Sequence, residues 1–227
     1  MCRFLISFFL LVIIMSCAKQ QKGIYKEGKL EYRISYLNAN EDNYDPSFLP
    51  KKMILEFNQD FCVFRIDGFM GMFRLGNITY FKNHSVKTHL KVLDKNYAFN
   101  GGRNEMMCCF DCLSNMIVDS DTSVTEFAGL KSKKAKISFK DNSDKYDIYY
   151  TDDIMLSDPN STNPYKKIDG VLTNFRLKMG PYLMQFTAIK FTPKLNLKNE
   201  FSIPVDARIV GREELVAILD RLMKQNM

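Results

Sequence analysis

The chain lacks the motifs on which most enzymes depend. Only two of its 227 residues are histidines, His84 and His89. The glycine-flanked serine of esterases, the paired histidines of zinc proteases, the phosphate-binding loop and the dinucleotide-binding glycine pattern are all missing from the sequence. The sequence therefore predicts a protein that is not an enzyme and that uses no cofactor and no metal.

Long apolar runs are also missing, apart from one at the start of the chain. This run extends from Phe4 to Met15 and has about twelve residues, whereas a membrane-spanning helix needs roughly twenty. The basic Arg3 precedes it, and the small Ser16 follows it. A basic start, a short apolar centre and a small residue at the end are typical of a secretory signal peptide.

The end of this segment, Ile14-Met15-Ser16-Cys17, resembles the lipobox of bacterial lipoproteins. In that family the cysteine receives acyl chains such as palmitate and becomes the first residue of the mature protein. The resemblance implies removal of residues 1–16 and a lipid on Cys17, which anchors the protein at the periplasmic face of the outer membrane. We then expect a polar, lysine-rich tether at residues 17–27 and a single β-rich domain at residues 28–227.

Basic residues exceed acidic ones, but the two kinds are interspersed. The chain has 32 Lys and Arg against 26 Asp and Glu, a formal net charge of +6. The densest cluster, from Lys131 to Lys136, has a strand-like alternation and is interpreted as a solvated face. The alternative is attraction to anionic lipid headgroups. Nucleic-acid binding is not expected, since no basic-aromatic motif is present.

Most of the chain alternates between apolar and polar residues, which is typical of strands with one buried side. The alternation is clean in residues 28–37, and residues 172–189 form the clearest hairpin, around Gly180-Pro181. Residues 100–119 interrupt this rhythm and are predicted to be an irregular or partly helical insert over the sheet. Near the C-terminus the apolar spacing becomes helical, at Leu215, Ile218, Leu219, Leu222 and Met223. These patterns predict an antiparallel meander closed by a C-terminal helix.

Apart from Cys2 in the signal segment and the proposed lipid site Cys17, the chain has four cysteines: Cys62, Cys108, Cys109 and Cys112. In an oxidising compartment they permit two disulfides, and the favoured interpretation pairs Cys62 with one of the other three. A redox dithiol at Cys109-x-x-Cys112 is an alternative, although the thioredoxin-like context is missing. A second alternative is a metal site in which these cysteines are joined by His84 or His89, although a second C-x-x-C or a pair of histidines that would complete the ligands is missing.

Flexible apolar clusters are candidates for a ligand site. Methionine side chains adapt to varied apolar surfaces, so they suit a site for a lipid or another apolar ligand. The alternative is that these residues belong to the core. The candidates are Met70, Met72, Phe73, Met106 and Met107.

An ordered series of short motifs resembles uncharacterised bacterial envelope lipoproteins, the GLPGLI-like and related domains of unknown function. The motifs lie at Gly28–Tyr32, Gly129–Ala135, Tyr149–Ile154, Ile168–Leu172 and Phe201–Pro204. The resemblance implies a fold similar to periplasmic lipoprotein carriers, mainly β, in which a curved antiparallel half-barrel with helical cover encloses an apolar cavity. The implied role is binding of an acyl chain or a lipidated partner, in a cavity of roughly a few hundred Å³. The alternative is a structural or interaction subunit that docks on an envelope complex.

The lipobox interpretation predicts that Cys17→Ser leaves the protein soluble or unprocessed. One buried acyl chain binds a membrane only marginally, with an association constant of about 10⁴ M⁻¹, and two make the attachment stable. Fractionation of cells should therefore move the variant out of the membrane pellet, with Cys2→Ser as the control that stays there. A correctly cleaved Cys17→Ser protein that remains in the membrane fraction would contradict the interpretation.

Overall fold

The computed structural model describes residues 23–38, 49–140, 144–194 and 203–225. The predicted signal peptide and Cys17 lie outside these ranges. Within them the chain is mostly β, with one sheet and one C-terminal α-helix. The elements are β1 (Gly28–Tyr36), β2 (Lys52–Phe57), β3 (Phe61–Asp67), β4 (Phe73–Tyr80), β5 (Ser85–Val92), β6 (Lys95–Asn100), β7 (Met116–Phe127), β8 (Leu130–Phe139), β9 (Lys145–Thr151), β10 (Val171–Met179), β11 (Tyr182–Thr192), β12 (Arg208–Ile209) and α1 (Arg212–Gln225).

The sheet consists of two antiparallel meanders joined side by side. Strands β1 to β6 pair in sequence order, as do β7 to β11, and β11 pairs with β1. The short β12 adds to β6 in parallel. Strands β12 and β7 are the two edges, so the sheet stays open. The predicted fold class, mainly β with an antiparallel sheet and a C-terminal helix, is confirmed.

The sheet is curved, as the contact between Phe64 and Phe186 shows. Phe64 on β3 and Phe186 on β11 are three strand positions apart, which is roughly 14 Å across a flat sheet at about 4.8 Å per strand. Their ring centroids nevertheless lie 6.0 Å apart. The sheet must therefore curve, so that these two strands approach each other on its concave face.

The alternation predicted for residues 28–37 places its apolar residues in the core. Leu30, Tyr32 and Ile34 on β1 are 0, 1 and 5% exposed. The buried Tyr32 hydroxyl donates a hydrogen bond to the Leu172 carbonyl oxygen, 2.7 Å away on β10. This bond satisfies a polar group that would otherwise destabilise the core.

The segment 101–115 has no regular secondary structure and connects β6 of the first meander to β7 of the second. Asn104 N–H donates to the His84 carbonyl at 2.8 Å, and Asp111 N–H donates to the Lys178 carbonyl at 3.0 Å. These two bonds attach the segment to β10 and to the turn before β5. The predicted irregular insert is confirmed over residues 101–115, but residues 116–119 already belong to β7.

Helix α1 buries the face that the helical spacing indicated. Leu215, Leu219 and Met223 are at most 7% exposed. The end of α1 packs tightly on the β10–β11 turn, because a Cβ added to Gly180 would lie 2.7 Å from the Met223 side chain. Within the described ranges, no helix combines the length and the apolar character needed to cross a membrane.

The structure attaches the last part of the predicted tether to the domain. The N–H groups of Ile24 and Tyr25 both donate to the Asp153 carbonyl, and Tyr25 in turn accepts from Met155 N–H at 2.8 Å. The Tyr25 ring also packs edge-on against Phe191, with 4.7 Å between centroids. The end of the predicted tether is thus part of the described domain.

Phe186→Ala should lower the free energy of unfolding by about 3–5 kcal/mol, since it leaves a cavity in the core. Phe186 is fully buried and stacks on Phe175, with 5.1 Å between centroids. Urea unfolding should show a lower midpoint with an unchanged slope. Ile189→Ala on the same strand, where Ile189 is 45% exposed, is the control and should change stability by about 0.5 kcal/mol or less. Equal losses in the two variants would contradict the assigned core.

Candidate functional site

The best-formed cavity lies between the concave face of the sheet and a covering loop. Its sheet side includes Tyr32, Leu55 and Phe64, and its floor continues onto β10 at Phe175 and Leu177. The cover is formed by Met107 from the segment 101–115 and by residues 156–163, the loop between β9 and β10. The walls are therefore largely apolar and come from both meanders.

The cavity is much smaller than expected. Its volume is about 50 Å³, enough for a few water molecules, because a site of about 10–15 Å³ already holds one. Among the described residues, this cavity does not reach the expected volume of roughly a few hundred Å³. The reason is that aromatic and methionine side chains from the strands fill most of the space under the cover.

One polar corner of the cavity is not fully satisfied. Asn77 is 1% exposed, and its Oδ1 accepts a hydrogen bond from Thr88 Oγ1 at 2.6 Å. Its Nδ2 has no partner among the described residues. A buried donor without a partner costs about 1–3 kcal/mol. Beside it, the hydroxyls of Thr79 and Thr162 hydrogen-bond to each other and join the sheet to the cover.

No described residue that lines the cavity carries a formal charge. Burial raises the pKa of the Cys62 thiol to about 12, although hydrogen bonds with Thr79 oppose part of this shift. Burial also raises the pKa of Tyr32, so both groups remain neutral near pH 7. The interior therefore suits a neutral ligand, because an uncompensated buried charge is costly.

Buried polar groups of the loop between β9 and β10 hold the cover in place. Asn160 Nδ2 donates to the carbonyls of Ile168 and Gly170, at 2.7 and 2.9 Å. Tyr165 is fully buried, and its hydroxyl donates to the Arg176 carbonyl at 2.6 Å. The sequence indicated only a polar loop here, because a sequence does not distinguish a buried, hydrogen-bonded amide or hydroxyl from a solvated one. The aromatic Tyr165 within this polar loop was the one residue that could have indicated burial.

Two further hydrogen bonds fix the position of the cover. Met107 N–H donates to the Thr162 carbonyl at 2.7 Å, which links the two cover segments. The Thr79–Thr162 hydroxyl contact links one of them to β4. Opening the cover would break these bonds without unpairing any strand.

The predicted methionine cluster is divided between two places. Met107 lines the cavity, and Met106 lies beside it in the segment 101–115. Met70 and Met72 are 86 and 40% exposed around the β3–β4 turn, and Phe73 is partly buried there. None of these last three lines the cavity. They instead form an apolar tip with the exposed Leu93, whose N–H donates to the Met72 carbonyl at 2.8 Å.

The structure shows none of the predicted disulfides. Cys62 lies in the cavity wall, Cys108 and Cys109 lie at the base of α1, and Cys112 is exposed; no disulfide joins these four described cysteines. Nor do the described residues contain a group of three His, Cys, Asp or Glu side chains that could hold a metal ion. Cys112 instead has its Sγ 3.7 Å from Met106 Sδ.

A histidine–carboxylate pair lies near the cover. His84 Nδ1 is 3.4 Å from Asp158 Oδ2. The buried Ser161 is in the same loop, but its hydroxyl has no hydrogen-bond partner among the described residues. A serine nucleophile needs a base within hydrogen-bonding reach, so these three residues do not form a catalytic triad here.

The lysine cluster on β8 is largely paired. Lys133 contacts Asp152, Lys134 lies 2.7 Å from Asp147, and Lys136 lies 3.7 Å from Asp121. These acids lie on or beside the neighbouring strands β7 and β9, so the charges neutralise one another across the sheet. This arrangement fits the interpretation of a solvated face.

A second, wider groove of about 530 Å³ opens to solvent at the end of β10. Its walls include Asp111, Arg176 and Lys178, and Lys178 pairs with Asp111 at 3.4 Å. The Arg176 guanidinium lies 4.8 Å from the centre of the Tyr146 ring. This mixed and charged surface suits an apolar chain less well than the interior does.

No protein-family model matches the chain, and no curated protein sequence matches it either. Among solved structures, the chain is similar to the crystal structure of a β-barrel-like protein of a domain of unknown function, DUF1849, from Brucella abortus. The two sequences are 8% identical, the TM-score is 0.38, and the match covers 77% of this chain and 100% of that one. At this level the similarity assigns neither a family nor a function, and the lipoprotein resemblance stays a prediction.

The burial of the cysteines predicts one fast-reacting thiol in the described domain. Cys112 is exposed, whereas Cys62, Cys108 and Cys109 are at most 8% exposed. Brief alkylation of the native protein followed by peptide mapping should label Cys112 at least about tenfold faster than the other three, since reaction requires access. Cys112→Ser should abolish this fast phase. Fast labelling of Cys62 in the folded protein would contradict the assigned burial.

Proposed function

We propose that the protein is a non-catalytic binding protein that takes a neutral apolar ligand, an acyl chain or the acyl part of a lipidated partner, into its interior. The observation that carries this proposal is the cavity itself. Its walls are apolar, it lacks charged groups among the described residues, and it contains the unpartnered donor Asn77 Nδ2. A carbonyl oxygen next to an acyl chain would accept that hydrogen bond.

The small volume implies that binding is coupled to opening of the cover. Each CH₂ group transferred from water into the interior contributes about 0.8 kcal/mol, so a chain of about ten carbons contributes roughly 8 kcal/mol. Opening the cover would cost its hydrogen bonds, each worth about 0.5–1.5 kcal/mol, and the apolar contacts of Met107 and Phe110, so the gain from the ligand is partly offset. The ligand would then displace the segments 101–115 and 156–163 from the sheet.

The place of action follows from the N-terminal segment. A lipid on Cys17 would anchor the protein to the periplasmic face of the outer membrane, beside a supply of acyl chains. The apolar tip at Met70, Met72 and Leu93 lies at the β3–β4 and β5–β6 turns, whereas Gln59, in the β2–β3 turn at the other end of β3, hydrogen-bonds to Lys26 where the chain enters. The tip therefore lies at the opposite end of β3 from Lys26 and would be available to an envelope partner.

A pair of tryptophan variants on β2 tests the site. Leu55 lines the cavity, whereas the adjacent Ile54 lies on the opposite face of the strand. Leu55→Trp should weaken binding of a fluorescent acyl ester by about tenfold or more, equivalent to about 1.4 kcal/mol. Ile54→Trp is the matched control and should bind as the unmodified protein does. Since the chain has no tryptophan, each variant also carries a unique fluorophore that reports folding.

Equal binding by the two variants would show that the acyl ester binds elsewhere. If the unmodified protein binds no acyl ester at all, the proposal fails.

A further inference from the structure

Two consecutive cysteines lie with their sulfur atoms in contact at the base of α1. The Cys109 thiol donates to Cys108 Sγ at a distance of 3.1 Å. Cys108 and Cys109 are 0 and 8% exposed. Cys109 has a φ of 74°, in the left-handed region that side chains with a Cβ rarely adopt. The proposed ligand site does not use either thiol.

We propose that Cys108 and Cys109 are a reversible redox pair that converts between the dithiol and a vicinal disulfide by exchange with a small-molecule or protein disulfide. In the first step the Cys108 thiolate attacks one sulfur of the oxidant, which forms a mixed disulfide and releases one thiolate. In the second step the deprotonated Cys109 sulfur attacks the Cys108 sulfur of the mixed disulfide and displaces the second thiolate of the oxidant. The pair loses two electrons and two protons, and the oxidant is reduced to two thiols.

The surroundings of the pair favour Cys108 as the attacking thiolate. The hydrogen bond from Cys109 and the nearby Arg212 guanidinium lower the pKa of Cys108. Conversely, the hydrogen bond that Cys109 donates to Cys108, together with burial, raises the pKa of Cys109. A thiolate is the nucleophile in disulfide exchange, so the two thiols have different roles.

Arg212 is held firmly in this position. Its guanidinium donates to the carbonyls of Met106 and Met107 and to Glu105 Oε1, the last at 3.1 Å. It also lies 4.9 Å from the centre of the Phe99 ring. The positive charge therefore stays beside the thiols whenever the segment 101–115 is closed.

The short distance between consecutive Cα atoms should make this disulfide easy to reduce, unlike a structural disulfide. Consecutive Cα atoms are about 3.8 Å apart, whereas disulfide-bonded residues usually have Cα atoms about 4.4–6.8 Å apart. A bond made at the shorter spacing is strained, and strained disulfides are more easily reduced than structural ones. Forming it would also bring the sulfurs from 3.1 Å to about 2.05 Å, which requires a shift in the backbone of the segment 101–115.

Access to the pair requires local opening. Both thiols are buried in a segment with no helix or strand of its own, so an oxidant reaches them only when the segment 101–115 opens. Exchange should therefore be slower at this pair than at the exposed Cys112.

The test is equilibration of the full chain in glutathione buffers, followed by acid quenching, denaturation, alkylation and peptide mapping. The peptide with Cys108 and Cys109 should lose the mass of two hydrogens and resist alkylation at both positions together. A tenfold rise in [GSSG]/[GSH]² should raise the ratio of disulfide to dithiol by about tenfold, as an intramolecular two-electron exchange requires. Amide hydrogen exchange in the segment 101–115 should differ between the two forms.

Cys112→Ser is the control variant, since it removes the exposed thiol and should leave the titration of the pair unchanged. Cys108→Ser should leave Cys109 unable to form the internal bond, and peptide mapping of the unmodified protein locates the bond should that variant fold poorly. Two results overturn the proposal: alkylation of both thiols at every glutathione ratio, or oxidised species that link either thiol only to glutathione, Cys62 or Cys112.

Discussion

The constraint on which the structure depends is a curved sheet that does not close. Two meanders meet at β1 and β11, and the opposite edges remain unpaired with each other. An open edge and an apolar concave face are both unfavourable in water. The segment 101–115 and the loop 156–163 cover part of the concave face, and the cavity and the paired cysteines lie in or beside this cover.

The cover is polar where it is held and apolar where it packs. Asn160 and Tyr165 satisfy backbone carbonyls inside the protein, whereas Leu215 and Leu219 of α1 are buried in the apolar core. A purely apolar cover would pack more tightly but would have no specific position. The hydrogen bonds give the cover one defined closed arrangement, at a modest energetic cost of opening.

The same cover brings the apolar cavity and the paired thiols close together. Met107 forms part of the cavity wall, and the next two residues are the paired thiols. Arg212 at the start of α1 binds the carbonyl oxygens of this segment and influences the Cys108 thiol. A change in the redox state of the thiols and the arrival of a ligand would therefore act on one and the same segment.

The sequence alone determined the strand-rich fold class, the buried face of β1 and the C-terminal helix, because these follow from the spacing of apolar residues along the chain. It assigned residues 116–119, the start of β7, to the irregular insert, because most residues of β7 are exposed and lack alternation. Only the tertiary structure decided which polar and sulfur atoms meet. Thr79 and Thr162 are 83 residues apart, and Tyr32 and Leu172 are 140 apart. The expected disulfide of Cys62 is not found. The neighbours of Cys62 depend on how distant strands curve toward each other, which the sequence does not show.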